Sequence, residues 1–433
     1  MTRAGLEAGA ARSWSARDAE AWLLSLELFG MRFGLDRMRR LMTALGSPND
    51  AFRSIHVVGT NGKSSTVRMT AALLHHHGVR TGAYLSPHLV SFAERIRVGG
   101  DDISEQQFAA AVGRARRAAE LVDRTLEADD RVTQFEALTA AAYAQLAQSG
   151  VEVAVVEAGL GGRWDATNVI GAEVAVLTNI GLEHTRWLGP TVKDIAREKL
   201  AVVAPGATLV LGPDLHPDAL QEAQLVADRQ GATIVRAPAE PPAQARDALL
   251  ARGVFQRRNF AVACAAAQAL LGRLEEGPLR AAAASTAVPG RFDVVRGGAG
   301  GAEVVFDGAH NAGGIAALVE TLPDFLAGRP LFAVVSVLED KDAAAMLAAL
   351  LPLCAGVVFT ANANPRALSP ATLQSLAGQL GAAAVTRVEA DPRRAVALAE
   401  ELAGPDGVVL ATGSIYLIAD LMRPDAAGRR STL

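Results

Sequence analysis

The chain has 433 residues, 50% of them hydrophobic and 20% charged, with a formal net charge of −4. That length and apolar content predict two or more domains, each with a sizeable core. The acidic balance excludes a general nucleic-acid binder, which carries a basic face, but leaves room for a basic pocket around a small anion.

The N-terminal stretch MTRAGLEAGAARSW lacks the apolar core of a signal peptide and reads as a frayed, alanine-rich leader. No apolar run reaches the ~18 residues of a membrane span. Cys264 and Cys354 lie in apolar surroundings that suit small reduced thiols. A cytoplasmic address is expected. Residues 18–46 carry two helical patterns, AEAWLLSLELF and LDRMRRLMTALG, broken by a glycine-containing turn.

SIHVV then reads as a buried strand, too short and too β-branched for a helix. It runs into GTNGKSST, and Thr66 to His77 reads as a helix. A strand, a glycine turn and a helix start make a phosphate cradle, because glycines let backbone N–H groups approach and the helix N-terminus adds partial positive charge. Lys63 would reach the outer phosphates, and a following hydroxyl would face Mg²⁺. Val57 stands where the standard eight-residue loop has its first glycine, so GTNGK is a tighter variant. His75, His76 and His77 point in different directions on a helix and suit its C-terminus better than a metal.

Residues 79–98 read as a loop holding Ser86-Pro87-His88 with a basic end, and 105–147 as mostly helix, including TQFEALTAAAYAQL. VEVAVVEAG and EVAVLTNI are strong buried-strand candidates. Glu157 ends the first, where an NTPase needs a carboxylate to hold Mg²⁺ directly or through water. Arg163 and Asp165 share the loop after it. The second runs into Asn179, Glu183 and His184; a histidine ligand would favour tolerance of Mn²⁺. AREKL brings Lys199 onto a helix, and NFAVACAAAQALL forms another at 259–271.

A boundary is expected near TAVPG, at 286–290. Beyond it EVVFD, LFAVVSV, GVVFT, AVTRVEA and GVVLATG are five strand-like runs separated by helical segments. Asp307, Lys341 and Ser414 follow three of these strands, on the edge where open α/β sheets bind ligands, and His310 and Asn311 begin a helix. Of 42 basic residues only Lys63, Lys193, Lys199 and Lys341 are lysine, and three of the four fall in these stretches. The fold class is α/β in two domains. Residues 1–288 form a P-loop ATPase-type domain with a mostly parallel sheet, and 289–433 a Rossmann-like doubly wound domain.

HVVGTNGKSST, YLSPHLVSFAERI, TQFEALT, VEAGLGGRWDATNV, LTNIGLEHT, IAREK, PGRFDV, DGAHN, EDKD and TGSIY occur in the order seen in the folylpolyglutamate synthase/dihydrofolate synthase family. The chain resembles that family, part of the Mur-ligase-like group, from about residue 18 to 423. The resemblance implies an ATP-dependent ligase that makes an acyl phosphate and passes it to the amine of L-glutamate. The acceptor would be dihydropteroate, a folate, or both, and the chain would act as a cytoplasmic monomer without nucleic-acid or membrane partners. Gly59, Thr60, Asn61, Gly62, Lys63, Ser64 and Ser65 match the phosphate loop, and Asn259, Arg291 and Asp307 match other ATP contacts. Ser64, Ser86, Glu157 and His184 match magnesium positions, for one or two ions. Lys199 matches a lysine that can be carbamylated to a metal-bridging group. Ser86, Pro87, His88, Thr133, Phe135 and Asp165 match the pterin pocket, while His310 and Ser414 match the glutamate side. Lys63, Glu157, His184, Lys199, Asp307 and His310 form the implied catalytic set.

This chain departs from the family pattern in four places. GKSS replaces GKGS, leaving Ser64 and Ser65 as alternative metal serines. Glu183 replaces an aspartate, Ala204 a lysine and Ala312 a proline. Two alternatives stay open: a Mur-like ligase with another carboxylate acceptor, and a nucleotide switch without catalysis. The folate-type SPH and TQFE stretches argue against the first, and the strand-end clusters of the second domain against the other.

Overall fold

The computed structural model describes residues 14–27, 34–298, 301–381 and 385–423. The leader to residue 13 and most of the glycine-containing turn before Gly34 lie outside them. Two sheets organise the chain. The first contains β1 (Arg53–Val58), β2 (Thr81–Tyr84), β3 (Ile96–Val98), β4 (Asp101–Asp102), β5 (Val153–Glu157), β6 (Val174–Leu177), β7 (Thr208–Leu211) and β8 (Thr233–Arg236), in the order β4-β3-β2-β5-β1-β6-β7-β8. From β2 to β8 every neighbouring pair is parallel; β3 and β4 extend the edge antiparallel.

The central strands have both faces covered, which is why they read as unbroken apolar runs rather than alternating ones. Ile55, Val57, Val155 and Val176 pack with Met69 and Leu73 of helix Lys63–His76 and Phe260 of helix Val254–Leu271. Tyr84, Ala154 and Val156 face Leu138 and Tyr143 of helix Gln134–Gln148. The stretch read as a loop over 79–98 in fact holds two short strands. They pair with each other, β2 also with β5 and β3 with β4, so tertiary pairing rather than local pattern makes them strands.

The second sheet contains β9 (Asp293–Gly298), β10 (Gly301–Phe306), β11 (Leu331–Val335), β12 (Cys354–Phe359), β13 (Val385–Val388) and β14 (Val408–Thr412), in the order β13-β12-β11-β14-β10-β9. All pairs are parallel except β9 with β10. The five expected strands are present, and β9 adds an antiparallel edge. Val305, Val335 and Leu410 face helices Ala312–Leu326 and Ala343–Leu350, while Val304, Val334 and Val409 face helix Pro392–Ala403. Among the described residues no helix is long and apolar enough to cross a membrane.

Two of the three histidines hold a neighbouring helix, while His75 stays exposed. His76 Nε2 meets Ser285 Oγ at 3.0 Å, and His77 Nε2 accepts from the Glu275 amide at 2.9 Å. Both serve the docking of helix Glu276–Ser285 on helix Lys63–His76.

Candidate active site

Parallel strands end on the same edge, so β1, β2, β5 and β6 deliver the glycine loop, Ser86, Glu157 and Thr178 side by side. Gly62 caps the helix that begins at Lys63, with φ +81° and no side-chain cap bond, so the first-turn amides face the loop. The loop is braced from behind. Thr60 N donates to Asn179 O at 3.0 Å, Asn61 N to Asn179 Oδ1 at 2.8 Å, and Thr178 Oγ1 to Asn61 O at 2.7 Å. Gly59 has no room for a side chain, since a Cβ there would lie 1.9 Å from Thr178 Oγ1. At Gly62 it would lie 2.4 Å from Asn259 Oδ1, which puts Asn259 against the cradle. Lys63 Nζ folds back on the carbonyls of Gly59 (3.2 Å) and Thr60 (3.1 Å).

Glu157 is 1% exposed. Its carboxylate accepts from Ser64 Oγ at 2.9 Å and from Ser86 N at 3.1 Å. The structure thus brings Ser64, Ser86 and Glu157 together, and Ser64 rather than Ser65 touches the carboxylate. Burial raises the Glu157 pKa, against the opposing charge of Lys63 and these two hydrogen bonds. Lys199, 5% exposed, donates to Gly59 O at 2.8 Å. Burial, followed by the charge of Lys63, pushes its amine down to about 7.

His184 sits at φ +53°, a left-handed conformation that is uncommon outside glycine. It does not join a protein-only metal cage: among the described residues no three His, Cys, Asp or Glu side chains converge on one point. The donor chemistry at Ser64 and Glu157 nevertheless fits a hard divalent cation. Magnesium is commonly held by one or two carboxylates, with phosphate and water completing the shell, and here a buried carboxylate and a hydroxyl adjoin the phosphate cradle.

The residues matched to a pterin pocket lie around β2 and β5: Ser86-Pro87-His88 follow β2, Asp165 follows β5, and Thr133 and Phe135 begin helix Gln134–Gln148. Phe135 lies against Gly159, where a Cβ would come within 2.6 Å of its ring, and it stacks on Tyr84 at 6.2 Å. Thr133 caps its helix in a reciprocal box with Glu136. Asp165 accepts from Leu160 N at 2.7 Å. Ser86-Pro87 is a cis peptide, and His88 Nδ1 accepts from Arg95 Nε at 3.0 Å. Arg95, read only as part of a basic end, is 1% exposed, and its Nη2 has no hydrogen-bond partner among the described residues.

The second domain meets this edge with its own. Asp307, at the end of β10, accepts from Phe292 N and Ala309 N, both at 2.8 Å. Arg291 packs on Gly308, where a Cβ would lie 2.0 Å from Nη1. Burial raises the Asp307 pKa, with the Arg291 charge opposing it. Ser414 caps helix Ile415–Met422 after β14. Ser336, Asn362 and Asn364 are also buried at strand ends, with Asn362 Nδ2 donating to Ser336 Oγ at 2.9 Å. No motif signalled these three.

Two contacts join the domains at the site. Asn61 and Asn311 exchange side-chain amide hydrogen bonds at 3.1 and 3.0 Å. Glu183 receives Lys341 Nζ at 2.9 Å and lies 3.4 Å from His310 Nε2. Burial would raise the Glu183 pKa, but hydrogen bonding and charge from His310, then Lys341, hold it far below the usual carboxylate range. A depressed folded pKa means that the stabilisation is present above the ordinary value of 4.5 and is lost as pH falls below it. Glu183→Gln is therefore expected to flatten the acid side of the stability curve. In thermal melts from neutral pH downward, the parent should lose ~1–3 kcal/mol more than the variant; parallel curves would refute the contact's contribution.

Residues 57–216 match the Mur ligase middle domain, and residues 290–415 match the Mur ligase, glutamate ligase domain. The fold is that of a Mur-type ligase. Dihydrofolate synthase/folylpolyglutamate synthase of Bacillus subtilis is 32% identical over 437 residues, covering 94% of this chain and 98% of that protein. Mycobacterium tuberculosis folylpolyglutamate synthase, solved complexed with ADP, aligns with a TM-score of 0.87 at 33% identity over 96% of this chain and 99% of that one. The bifunctional folylpolyglutamate synthase/dihydrofolate synthase of Yersinia pestis, complexed with AMPPNP and Mn ion, gives a TM-score of 0.80 at 27% identity over 95% and 98%. The chain belongs to the dihydrofolate synthase/folylpolyglutamate synthase family.

Proposed function

We propose that the chain is an ATP-dependent ligase that joins L-glutamate to dihydropteroate, to folates already carrying glutamate, or to both. The observation that carries this reading is the meeting of two strand-end clusters. A phosphate loop with a buried carboxylate faces a second domain through Asn61–Asn311 and Glu183–Lys341. An acceptor carboxylate oxygen bonds to the γ-phosphorus, and ADP leaves. The amine of glutamate then bonds to the acyl carbon, phosphate leaves, and the amine gives up a proton. Lys63 and the first-turn amides hold the phosphates, where their charge stabilises the transferring group. Asn259, Arg291 and Asp307 contact the rest of the nucleotide. Phe135, Thr133, Asp165 and the Ser86-Pro87-His88 loop hold the acceptor, and His310 and Ser414 hold glutamate. Ser64, Ser86, Glu157, His184 and, once carbamylated, Lys199 would hold the divalent ion, which would supply charge neutralisation for the phosphates. Manganese is expected to substitute for magnesium.

Lys199 is proposed to be carbamylated. Its neutral amine adds to CO₂ and loses a proton, turning a buried cation into an anion beside the metal position. Its low pKa, about 7, supplies the neutral amine near neutrality. The two domains are taken as 1–288 and 289–433, in a monomer working in the cytoplasm.

The test is product mass. Protein is incubated with MgATP, L-glutamate and either dihydropteroate or tetrahydrofolate monoglutamate, with and without bicarbonate. Added glutamyl units in both tubes mean a bifunctional enzyme, and in the second tube alone a polyglutamylase. No addition in either by protein that still binds ATP would overturn the reading. Bicarbonate is expected to raise the rate, and an unchanged rate in CO₂-depleted buffer would reject the carbamate.

A further inference from the structure

Behind Asp165 lies a buried chain of hydrogen bonds that the proposed chemistry does not use. Thr167 Oγ1 and Thr167 N, the latter at 3.0 Å, both donate to Asp165 Oδ1, and Leu160 N holds Oδ2. The Thr167 carbonyl is fixed in turn by the Tyr143 hydroxyl at 2.9 Å. With the hydroxyl proton of Thr167 committed to the carboxylate, its oxygen can only accept, and the group facing it at 2.8 Å is His56 Nε2. His56 is therefore the Nε2–H tautomer. Its Nδ1 is left as a bare lone pair in the middle of β1, on a residue 0% exposed, and without a hydrogen-bond partner among the described residues. Burial keeps the ring neutral, with its pKa pushed down to about 3.

A histidine is a poor choice for that place if packing alone matters. An unpaired buried acceptor is destabilising, and a β-branched or aliphatic residue would fill a central strand without that penalty. We propose that His56 is a positioning residue for the acceptor pocket: through Thr167 it fixes the Asp165 carboxylate in one orientation, ready to accept N–H donors from a flat heteroaromatic acceptor. This rests on the reading of Asp165 as an acceptor-pocket residue. His56 touches neither substrate nor reacting atoms. Its effect passes through two hydrogen bonds, so it concerns acceptor binding and not phosphoryl transfer.

The test is a KM split. His56→Leu is expected to raise the acceptor KM about five- to tenfold, the worth of one hydrogen bond. The KM for ATP, the KM for glutamate and kcat should not move, and the melting temperature should match or exceed the parent's. Thr167→Val should give the same split without adding to His56→Leu in the double variant. His56→Gln, which returns an N–H at similar reach, should restore acceptor KM. Asp165→Asn separates the two levels of the argument. If it leaves acceptor KM unchanged, the pocket reading fails. If it raises acceptor KM while His56→Leu and Thr167→Val do not, the relay fails and His56 is only a core residue. Equal rises in all three KM values, or a large drop in melting temperature, would likewise mark a structural role.

Discussion

Lys63→Ala is expected to lower turnover by ~10²–10³-fold while leaving the fold intact. The side chain is half-buried and, among the described residues, bonds to the carbonyls of Gly59 and Thr60, at 3.2 and 3.1 Å. Those bonds are local, and Thr178 and Asn179 brace the same loop independently, so the loss to stability should stay within ~1 kcal/mol. The loss to catalysis should be far larger. In phosphoryl transfer the protein's contribution is positioning plus charge placed where it develops, and one such group is commonly worth ~3–4 kcal/mol. Circular dichroism melts and phosphate release with both substrates present check the two halves. Near-normal turnover in a folded variant would remove the phosphate loop from the mechanism.

Glu157→Gln is expected to give the opposite signs for stability and activity. Ionised Glu157 is held in the core by Ser64 Oγ and Ser86 N, and burial works against its charge. A glutamine can keep both contacts, with its oxygen toward the Ser86 amide and its NH₂ toward Ser64 Oγ, which then accepts. The unfavourable burial of a charge disappears, so the melting temperature should hold or rise. A neutral amide is a weak ligand for a hard divalent cation. Turnover should fall ~10³-fold, and the Mg²⁺ concentration giving half-maximal rate should rise more than tenfold. A variant with the parent's metal dependence would show that the ion is held elsewhere.

Much of this site is legible in the chain because its parts are local. A β-branched run followed by glycines and a helix start announces the cradle, and Glu157 closes an apolar strand where its charge has no other local reason to be. The strands over 81–84 and 96–98 were not legible. They are three or four residues long and owe their state to β4, to β5 and to each other. Nor could sequence show the bracing by Thr178, more than a hundred residues from Asn61, or the amide exchange between Asn61 and Asn311. Glu183 looked like a one-methylene change from aspartate. Only the assembled fold shows that its carboxylate spans the cleft to Lys341. His56 is the sharpest case: in IHVVG it reads as strand filler, and its partner stands 111 residues away.

The two ties at the site differ in kind, and they are not the whole domain contact, since Arg258 also pairs with Glu320 through bonds of 2.7 and 2.8 Å. The Glu183 tie is ionic, so its net contribution fades in acid and is weakened by salt. The Asn61–Asn311 tie is a pair of neutral amides, indifferent to both, and Asn311 also caps helix Ala312–Leu326 by accepting from Gly314 N at 2.7 Å. One joint can let go while the other stays made. The glycine loop is then a joint as well as a cradle: when the Glu183 contact weakens, the helix that Asn311 caps stays held beside the loop by neutral bonds.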